Sequence, residues 1–283
     1  MSLEKSAHSG ARALMGPDRG AKGRRWGWWY VTEHRLKTMR AYLWSILMGS
    51  VGSPLFYLFS LGVGLGALVD SQTGSRGIAG VPYVTYVGPA LLASAAITGA
   101  FEELSFPVIG GFKWSKEFYS MNATVVRASQ IVWGVTLAAL FRIVFTVAVF
   151  WTFLALFGAV PSAWGPFAVP TSILGGLAFG APLMAFAASL EDDDGWFALI
   201  NRFVIAPLFL FSGTFYPLDT LPVGLQAVGW ISPLWHVTEL GRMATFGLPV
   251  APWLAVVHLV YPLTLAVGGL VLAYRVFARR LSK

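Results

Sequence analysis

Charge is nearly absent from long stretches of this 283-residue chain, and this constrains the fold more than any other feature. Four runs of 25, 29, 32 and 48 residues contain no Asp, Glu, Lys or Arg. They lie between Arg76 and Glu102, Arg40 and Asp70, Arg242 and Arg275, and Arg142 and Glu191. A membrane-spanning helix needs about 20 apolar residues, so each run can hold at least one span. With 56% hydrophobic and only 12% charged residues, the sequence predicts an all-α membrane protein.

Six spans fit the pattern of apolar runs. The 48-residue run holds two of them, because turn-forming glycines and prolines interrupt it between Gly158 and Pro166. The fifth span begins near Phe197 and fades between Gly213 and Pro217. The spans are expected at about residues 41–68, 83–106, 130–157, 167–190, 197–213 and 253–277. The sequence therefore predicts a six-span transmembrane domain over residues 41–283.

Lysine and arginine fall almost entirely on one side of the predicted membrane. Seventeen lie on the same side as both termini, two lie on the other side, and Arg142 lies within the third span. The two on the other side are Arg76 and Arg242. Because cytoplasmic segments carry the excess of basic residues, we expect a multi-pass protein with both termini in the cytoplasm. This asymmetry and attraction to anionic lipids explain the net charge of +7 without a nucleic-acid partner.

The residues before the first span divide into a tail and a helix. Residues 1–25 are polar and rich in glycine, so we expect a disordered cytoplasmic tail. Residues 26–40 read WGWWYVTEHRLKTMR, and such aromatic and basic side chains suit the headgroup level of a bilayer. This composition predicts an interfacial amphipathic helix that contacts membrane lipids on the cytoplasmic leaflet. A juxtamembrane anchor with no other role is the alternative.

Few residues could support catalysis. No GxxxxGK[ST] phosphate-binding loop is present, so ATP hydrolysis would need another chain. The sequence has no cysteine, and its four histidines lack the spacing of a metal site. The acidic run at residues 191–194 forms either a solvated turn or a divalent-cation site. The turn is favoured because no second acidic cluster completes a site. We therefore predict no catalytic residue and no metal or cofactor bound by this chain.

An arginine inside a membrane needs a partner. Arg142 lies about twelve residues into the third span, and Glu102 and Glu103 lie near the inner end of the second. We expect an intramembrane ion pair between Arg142 and one of these glutamates. The predicted midplane has no further set of acidic residues, which argues against an ion-coupled secondary transporter.

Two segments resemble signatures of the membrane subunits of ABC-2 type exporters. Residues 207–222 read PLFLFSGTFYPLDTLP and are similar to the family pattern FxSGxFFPxxxLP, with Tyr216 where Phe is commoner. Residues 230–242, WISPLWHVTELGR, are similar to the pattern xPLxHxxELxR. Their order and spacing also match. The resemblance covers about residues 26–283 and is nearest to permeases for nodulation lipo-oligosaccharides and actinobacterial drugs.

In such permeases a short cytoplasmic helix between the second and third spans docks on the ATPase. The resemblance places this helix in a coupling loop at residues 107–129 of this chain. The residue pattern agrees, because Trp114, Phe118 and Met121 form an apolar stripe in a polar loop. We expect ATPase coupling through Trp114, Glu117, Phe118 and Met121. Packing of the stripe on the chain's own spans is the alternative.

Residues 212–252 are expected to form an extracellular gate. Gly213, Pro217 and Pro222 break helical hydrogen bonding where a straight span would continue. Irregular backbone at that depth must be covered by protein or line a water-filled space. Two short re-entrant helices, at about residues 222–231 and 233–246, are expected on the outer side before the last span.

The resemblance implies that the second and fifth spans line a substrate path. The residues assigned to this path and its gate are Tyr86, Phe209, Phe211, Gly213, Phe215 and Pro217. For the aromatic side chains among them, ordinary packing is the alternative.

The function that the resemblance implies is that of a permease subunit of an ABC exporter in the bacterial plasma (inner) membrane. Such a permease forms a homodimer or heterodimer with a second permease. It binds two copies of an ABC ATPase, which hydrolyses Mg-ATP. The expected substrate is amphiphilic, either a lipid-linked glycan, a glycolipid or a hydrophobic drug, and it moves outward. A membrane-embedded lipid-carrier transferase is the alternative, with residues 191–194 as its candidate site.

Overall fold

Helices joined by turns and short loops make up the part of the chain that the structure, a computed structural model, describes. The described residues are 18–73 and 77–283. They contain no β-strand, and their β-type pairing is limited to an isolated bridge between Ile78 and Val81. The all-α prediction is therefore confirmed for these residues. Residues 1–17 of the predicted tail, and Arg76, lie outside the described residues.

The N-terminal helix is longer than predicted. It runs Asp18–Arg40, so residues 18–25, which were expected in the disordered tail, are helical. The reason is in part a tertiary contact, since Gln130 Nε2 donates a hydrogen bond to Arg24 O at 2.7 Å. The composition of the tail contains no sign of this contact, because Gln130 lies 106 positions further along the chain.

The N-terminal helix packs closely on the third-span helix, Ala128–Leu156. A Cβ atom added at Gly134 would lie 2.5 Å from Val31 Cβ and 2.7 Å from Trp28 O. The Thr32 hydroxyl lies 3.2 Å from Gly134 O, and both Val31 and Thr32 are buried. One face of the helix is thus held by protein. Its exposed aromatic side chains, which suit lipid contact, are Trp26, Trp29 and Tyr30.

Four of the predicted spans are helices that are long and apolar enough to cross a membrane. We call them the second-, third-, fourth- and sixth-span helices: Tyr83–Leu104, Ala128–Leu156, Ala168–Ser189 and Pro252–Leu281. Their bounds agree with the predicted spans to within a few residues. A short helix, Phe106–Lys113, continues the second-span helix beyond a bend at Ser105.

The first and fifth predicted spans are irregular helices. Residues 43–73, the first-span segment, alternate between α-helix and π-helix: Leu43–Leu47, Met48–Gly52, Ser53–Tyr57, Leu58–Leu65 and Gly66–Thr73. Residues 196–211, the fifth-span helix, do the same: Trp196–Ile200, Asn201–Ile205 and Ala206–Phe211. The fifth-span helix is shorter than the four long helices. π-Helical turns are rare and are frequently found at functional sites. The count of six spans stays a prediction.

Small residues let the fourth-span helix lie close to the second and the sixth. A Cβ atom added at Gly176 would lie 2.9 Å from Ala96 O on the second-span helix. One added at Gly269, on the sixth-span helix, would lie 2.5 Å from the backbone nitrogen of Pro182. In lipid the hydrophobic effect does not drive helices together, so close packing of small residues holds them instead. The second- and fourth-span helices form the buried centre of the bundle, whereas the sixth-span helix packs on the fourth and leaves most of its apolar surface exposed.

Shorter helices lie at the two ends of the second-span helix. The loop helix, Glu117–Asn122, precedes the third span. The first and second cap helices, Val223–Ile231 and Pro233–Phe246, precede the sixth. Single 3₁₀ turns occur at Gly165–Phe167 and Leu218–Thr220. Tyr86, near the start of the second-span helix, contacts Arg242 of the second cap helix. Phe112, beyond its end, contacts Phe118 of the loop helix. The second-span helix therefore connects the two regions.

Replacing Gly134 with alanine should force the N-terminal helix away from the third-span helix. The new Cβ would overlap Val31 and the Trp28 carbonyl, and overpacking of this kind costs about 1–3 kcal/mol. We expect a lower melting temperature for the detergent-purified protein. Gly268→Ala is the matched control. It adds the same Cβ atom to the sixth-span helix at a position where no atom lies within 4 Å of it. Equal melting temperatures for the two variants would contradict the close contact.

Candidate functional site

A cavity of about 350 Å³ lies among the first-span segment and the second-, third- and fifth-span helices. On the second-span helix it extends from Leu91 to Glu102, which is about 16 Å along the axis. Arg142 and Phe150 of the third-span helix face the same space, as does Leu234 of the second cap helix. Pockets that hold drug-sized ligands have volumes of about 300–1,000 Å³. The cavity therefore has room for a small amphiphile or for part of a larger one.

One end of the cavity is charged. Arg142, near the middle of the 29-residue third-span helix, donates from Nη1 to Glu103 Oε1 and from Nη2 to Glu102 Oε2. The Glu103 side chain is 8% exposed, whereas that of Glu102 is 48% exposed. The structure thus brings together all three residues that the sequence assigned to the intramembrane ion pair. Both glutamates share the arginine, although the sequence required only one of them.

The opposite end of the cavity is apolar and partly aromatic. Leu91, Phe150, Phe209 and Leu234 line this end. Tyr57 of the first-span segment also lines the cavity, and its ring centroid lies 6.1 Å from that of Phe209. A cavity with one charged end and one apolar end suits an amphiphilic ligand, which has a polar or charged group and an apolar body.

The residues predicted for the substrate path do not form one surface. Phe209 lines the cavity, and the ring of Phe215 packs on it edge to face at 5.0 Å between centroids. Phe211 is not among the lining residues. Tyr86 is only 2% exposed, lies beneath the Arg242 guanidinium and does not line the cavity. Its ring binds a cation of the protein itself.

The break after the fifth-span helix is built around Gly213. This residue has a φ of 67°, in the left-handed region that favours glycine. The turn lets the chain leave the helix at Phe211 and reach Pro217, which precedes the 3₁₀ turn Leu218–Thr220. Within the turn the Gly213 carbonyl is free of helical pairing and accepts a hydrogen bond from Arg242 Nη2 at 2.7 Å.

Arg242 joins three parts of the chain. Its Nε donates to Tyr86 O at 3.2 Å, Nη1 to Glu239 Oε1 at 2.8 Å and Nη2 to Gly213 O at 2.7 Å. The guanidinium also lies 3.7 Å from the centroid of the Tyr86 ring, in a cation–π contact. Arg242 is 1% exposed. Its side chain is therefore turned into the protein and does not reach lipid headgroups, although the sequence allowed it to lie on the outer side.

A second contact joins the two sequence signatures. The Ser212 hydroxyl lies 2.6 Å from the Ser232 hydroxyl, and both residues are fully buried. Ser232 Oγ also accepts from Leu234 N at 3.1 Å and so caps the start of the second cap helix. The two signature segments, residues 207–222 and 230–242, therefore meet in space. Their shared function is to hold the turn at Gly213 against the second cap helix.

Two histidines attach the second cap helix to the sixth-span helix. His236 Nδ1 lies 2.9 Å from His258 Nδ1, and His236 Nε2 lies 3.0 Å from Trp230 O. Because a carbonyl only accepts, the network assigns the His236 proton to Nε2 and makes its Nδ1 the acceptor from His258. The histidines that looked scattered in the sequence therefore include one structural pair.

The loop helix packs on the protein rather than exposing the whole predicted stripe. Phe118 is 0% exposed, and its ring lies 4.9 Å from Phe112 and 5.4 Å from Phe277 between centroids. A Cβ atom added at Gly111 would lie 2.4 Å from the Phe118 ring, so glycine makes room for it. Phe118 is therefore not available as a contact for another protein. Met121 is half-buried against the same cluster.

The exposed side of this region is different from the predicted one. Trp114 is 62% exposed and Tyr119 is 38% exposed. Glu117 faces the N-terminal helix, where it accepts from Arg35 Nη1 at 3.2 Å and pairs with His34 Nε2 at 3.1 Å. Of the four residues predicted for ATPase coupling, Trp114 alone is largely exposed. The contact of Glu117 with Arg35 could not be read from the sequence, because no periodic pattern connects the two segments.

The acidic run at residues 191–194 is occupied by contacts within the protein. Asp192 forms an ion pair with Lys113, which links the two loops on this side. Asp193 Oδ1 accepts from Phe197 N at 3.2 Å and caps the start of the fifth-span helix. Among the described residues no group of three or more metal-binding side chains occurs. These contacts favour the interpretation as a turn.

The structure is thus a bundle in which four helices are long and apolar enough to cross a membrane, with a cavity lined by the second- and third-span helices among others. The chain belongs to the ABC-2 type transporter family, whose model matches residues 28–246. Both signature segments lie within the matched range. Members of this family are integral membrane proteins that serve as transport permease subunits, and they generally pair with an ABC ATPase subunit.

Curated relatives agree with this assignment. The chain is 31% identical over 216 residues to Nodulation protein J of Rhizobium leguminosarum bv. trifolii. The matched region covers 72% of this chain and 75% of that protein. The chain is 26% identical over 230 residues to Nodulation protein J of Rhizobium meliloti (strain 1021), covering 80% and 83%. It is 24% identical over 230 residues to Inner membrane transport permease YadH of Escherichia coli (strain K12), covering 79% and 83%. The resemblance stated from the two signatures is confirmed.

Replacing Arg242 with methionine should loosen the cap helices. The variant keeps an apolar stem but leaves the Tyr86 and Gly213 carbonyls and the Glu239 carboxylate without their donor. Removing one partner of a buried charge network costs about 3–5 kcal/mol. We expect a clear fall in melting temperature, measured on purified protein. Arg275→Met, at an exposed position of the sixth-span helix, is the control and should change little. Similar stability of the two variants would contradict the role given to Arg242.

Proposed function

We propose that this chain is the permease subunit of an exporter in the bacterial inner membrane, with both termini in the cytoplasm, and that it moves an amphiphilic substrate outward. The proposal rests on one observation above all. The cavity, charged at one end and apolar at the other, meets Leu234 of the second cap helix at its apolar end. A substrate would enter this cavity and leave past the cap helices.

The energy source in this proposal is a separate ABC ATPase, present in two copies and loaded with Mg-ATP. The chain itself binds no cofactor. A second permease, identical or similar, completes the transporter. Membership of the ABC-2 type transporter family supports this arrangement, because its members generally pair with such an ATPase.

Force from the ATPase would enter through the loop helix. Trp114 offers an exposed aromatic side chain at the start of this region. Behind it, the Phe112, Phe118 and Phe277 rings pack together, and Asn122 Nδ2 donates to Leu281 O at 3.3 Å. A push on the loop helix would therefore reach the second- and sixth-span helices directly.

Displacement of the second-span helix would reach the cap helices at its other end. Its first turns hold Arg242 through Tyr86, and Arg242 holds the turn at Gly213. Most residues of the helix are buried, so in this mechanism its packing carries a movement of one end toward the other. In this mechanism the cap contacts at Arg242 rearrange when the substrate is released.

The alternative, a lipid-carrier transferase, has less support. Its candidate acidic site at residues 191–194 is engaged by Lys113 and by the start of the fifth-span helix. The basic residues of the N-terminal helix and its exposed tryptophans favour lipid contact over nucleic acid. Neither feature requires catalysis by this chain.

Trp114→Ala should weaken ATPase binding while leaving the permease folded. Aromatic anchors at interfaces typically contribute about 2 kcal/mol or more, so we expect at least about a 30-fold loss of affinity. The measurement is co-purification of the tagged ATPase, followed by quantitative binding in detergent. Trp164→Ala is the control, because Trp164 is 67% exposed but follows the third span at its other end. Undiminished ATPase binding by Trp114→Ala would contradict the docking assignment.

A further inference from the structure

The charges at the polar end of the cavity do not balance. Glu102 and Glu103 supply two carboxylates, and Arg142 supplies one guanidinium. Glu103 is nearly buried and bonds to Arg142 without facing the cavity. It is sufficient to neutralise the arginine. Glu102 is then the surplus charge, and it is the carboxylate that lines the cavity.

Nothing else in the described lining offsets this surplus. Apart from Glu102 and Arg142, the residues that line the cavity are uncharged. Both terminal nitrogens of Arg142 bond to carboxylates, so the positive charge of the arginine is already compensated before a ligand enters. In surroundings of low dielectric constant, an unbalanced charge acts strongly on a ligand of opposite sign.

The rest of the lining suits the apolar part of such a ligand. Tyr57, Phe150 and Phe209 line the cavity away from its charged end, and their rings offer apolar surface to the body of an amphiphile. The polar and apolar walls therefore favour the same kind of ligand.

We propose that the cavity selects amphiphiles with a positively charged group, for which Glu102 is the counter-ion. The cationic group lies against the Glu102 carboxylate, and the apolar body lies among the aromatic rings toward Leu234. This inference rests on the proposed export function, because the positively charged amphiphile is named as the class of substrate that is exported. It disfavours anionic, phosphate-bearing lipid carriers among the substrates considered above.

The test is binding of radiolabelled tetraphenylphosphonium to the purified full-length permease without any ATPase. We expect saturable binding that is displaced far better by unlabelled cation than by uncharged triphenylphosphine oxide or anionic triphenylacetate. Glu102→Gln should weaken binding about tenfold or more, whereas Glu102→Asp, which keeps the charge, should retain most of it. Thr98→Trp should abolish binding by filling the cavity one turn from Glu102, with both charges unchanged.

Melting temperatures of all variants would be measured to verify that they are folded. Equal competition by the cation, the uncharged oxide and the anion, unchanged affinity of Glu102→Gln, or no binding to the wild-type chain would each overturn the inference. Failure of the export proposal is a separate result. If the cation binds as described but the reconstituted complex with the ATPase does not transport it, charge selection stands and the proposed function falls.

Discussion

The buried guanidinium of Arg242 is the contact on which the arrangement of the other parts depends. A charge without water is tolerated in a membrane protein only when its donors are satisfied by protein. Arg242 meets this condition by bonding to the backbone of the second-span helix at Tyr86 and to the turn at Gly213. That turn ends the fifth-span helix, so one side chain connects the end of the fifth-span helix, the start of the second-span helix and the second cap helix. The two sequence signatures of the family are therefore two halves of one structural unit.

The second-span helix gives this unit a connection to the other end of the protein. Beyond the bend at Ser105 it continues to Phe112, which packs against the loop helix at Phe118 and the sixth-span helix at Phe277. The N-terminal helix joins the same region through Arg35 and Glu117, and it also packs on the third-span helix at Gly134. A movement at the loop helix would thus be shared by three long helices. The cavity lies between the second- and third-span helices and would change shape with them.

Much of the fold could be predicted because charge-free runs and their interruptions follow directly from the length of a span. Arg142 beside Glu102 and Glu103 follows from the same rule, since a charge in an apolar helix requires a neighbour of opposite sign. Arg242 obeys this rule too, but its partners are mainly backbone carbonyls, which leave no trace in a sequence. Phe118 could not be assigned for a related reason. An apolar stripe shows that a face is buried but not whether the cover is another protein or the chain's own Phe112 and Phe277.

The central claim is that the cap helices face outward and the loop helix faces the ATPase, and cysteine labelling tests it most directly. The native chain contains no cysteine, so a single introduced thiol is the sole target. Thr220 precedes the first cap helix and Ser115 precedes the loop helix, and both are exposed. An impermeant maleimide added to intact cells should label Thr220→Cys but should label Ser115→Cys only after the membrane is permeabilised. The reverse pattern would place the cap helices in the cytoplasm and contradict the proposed direction of transport.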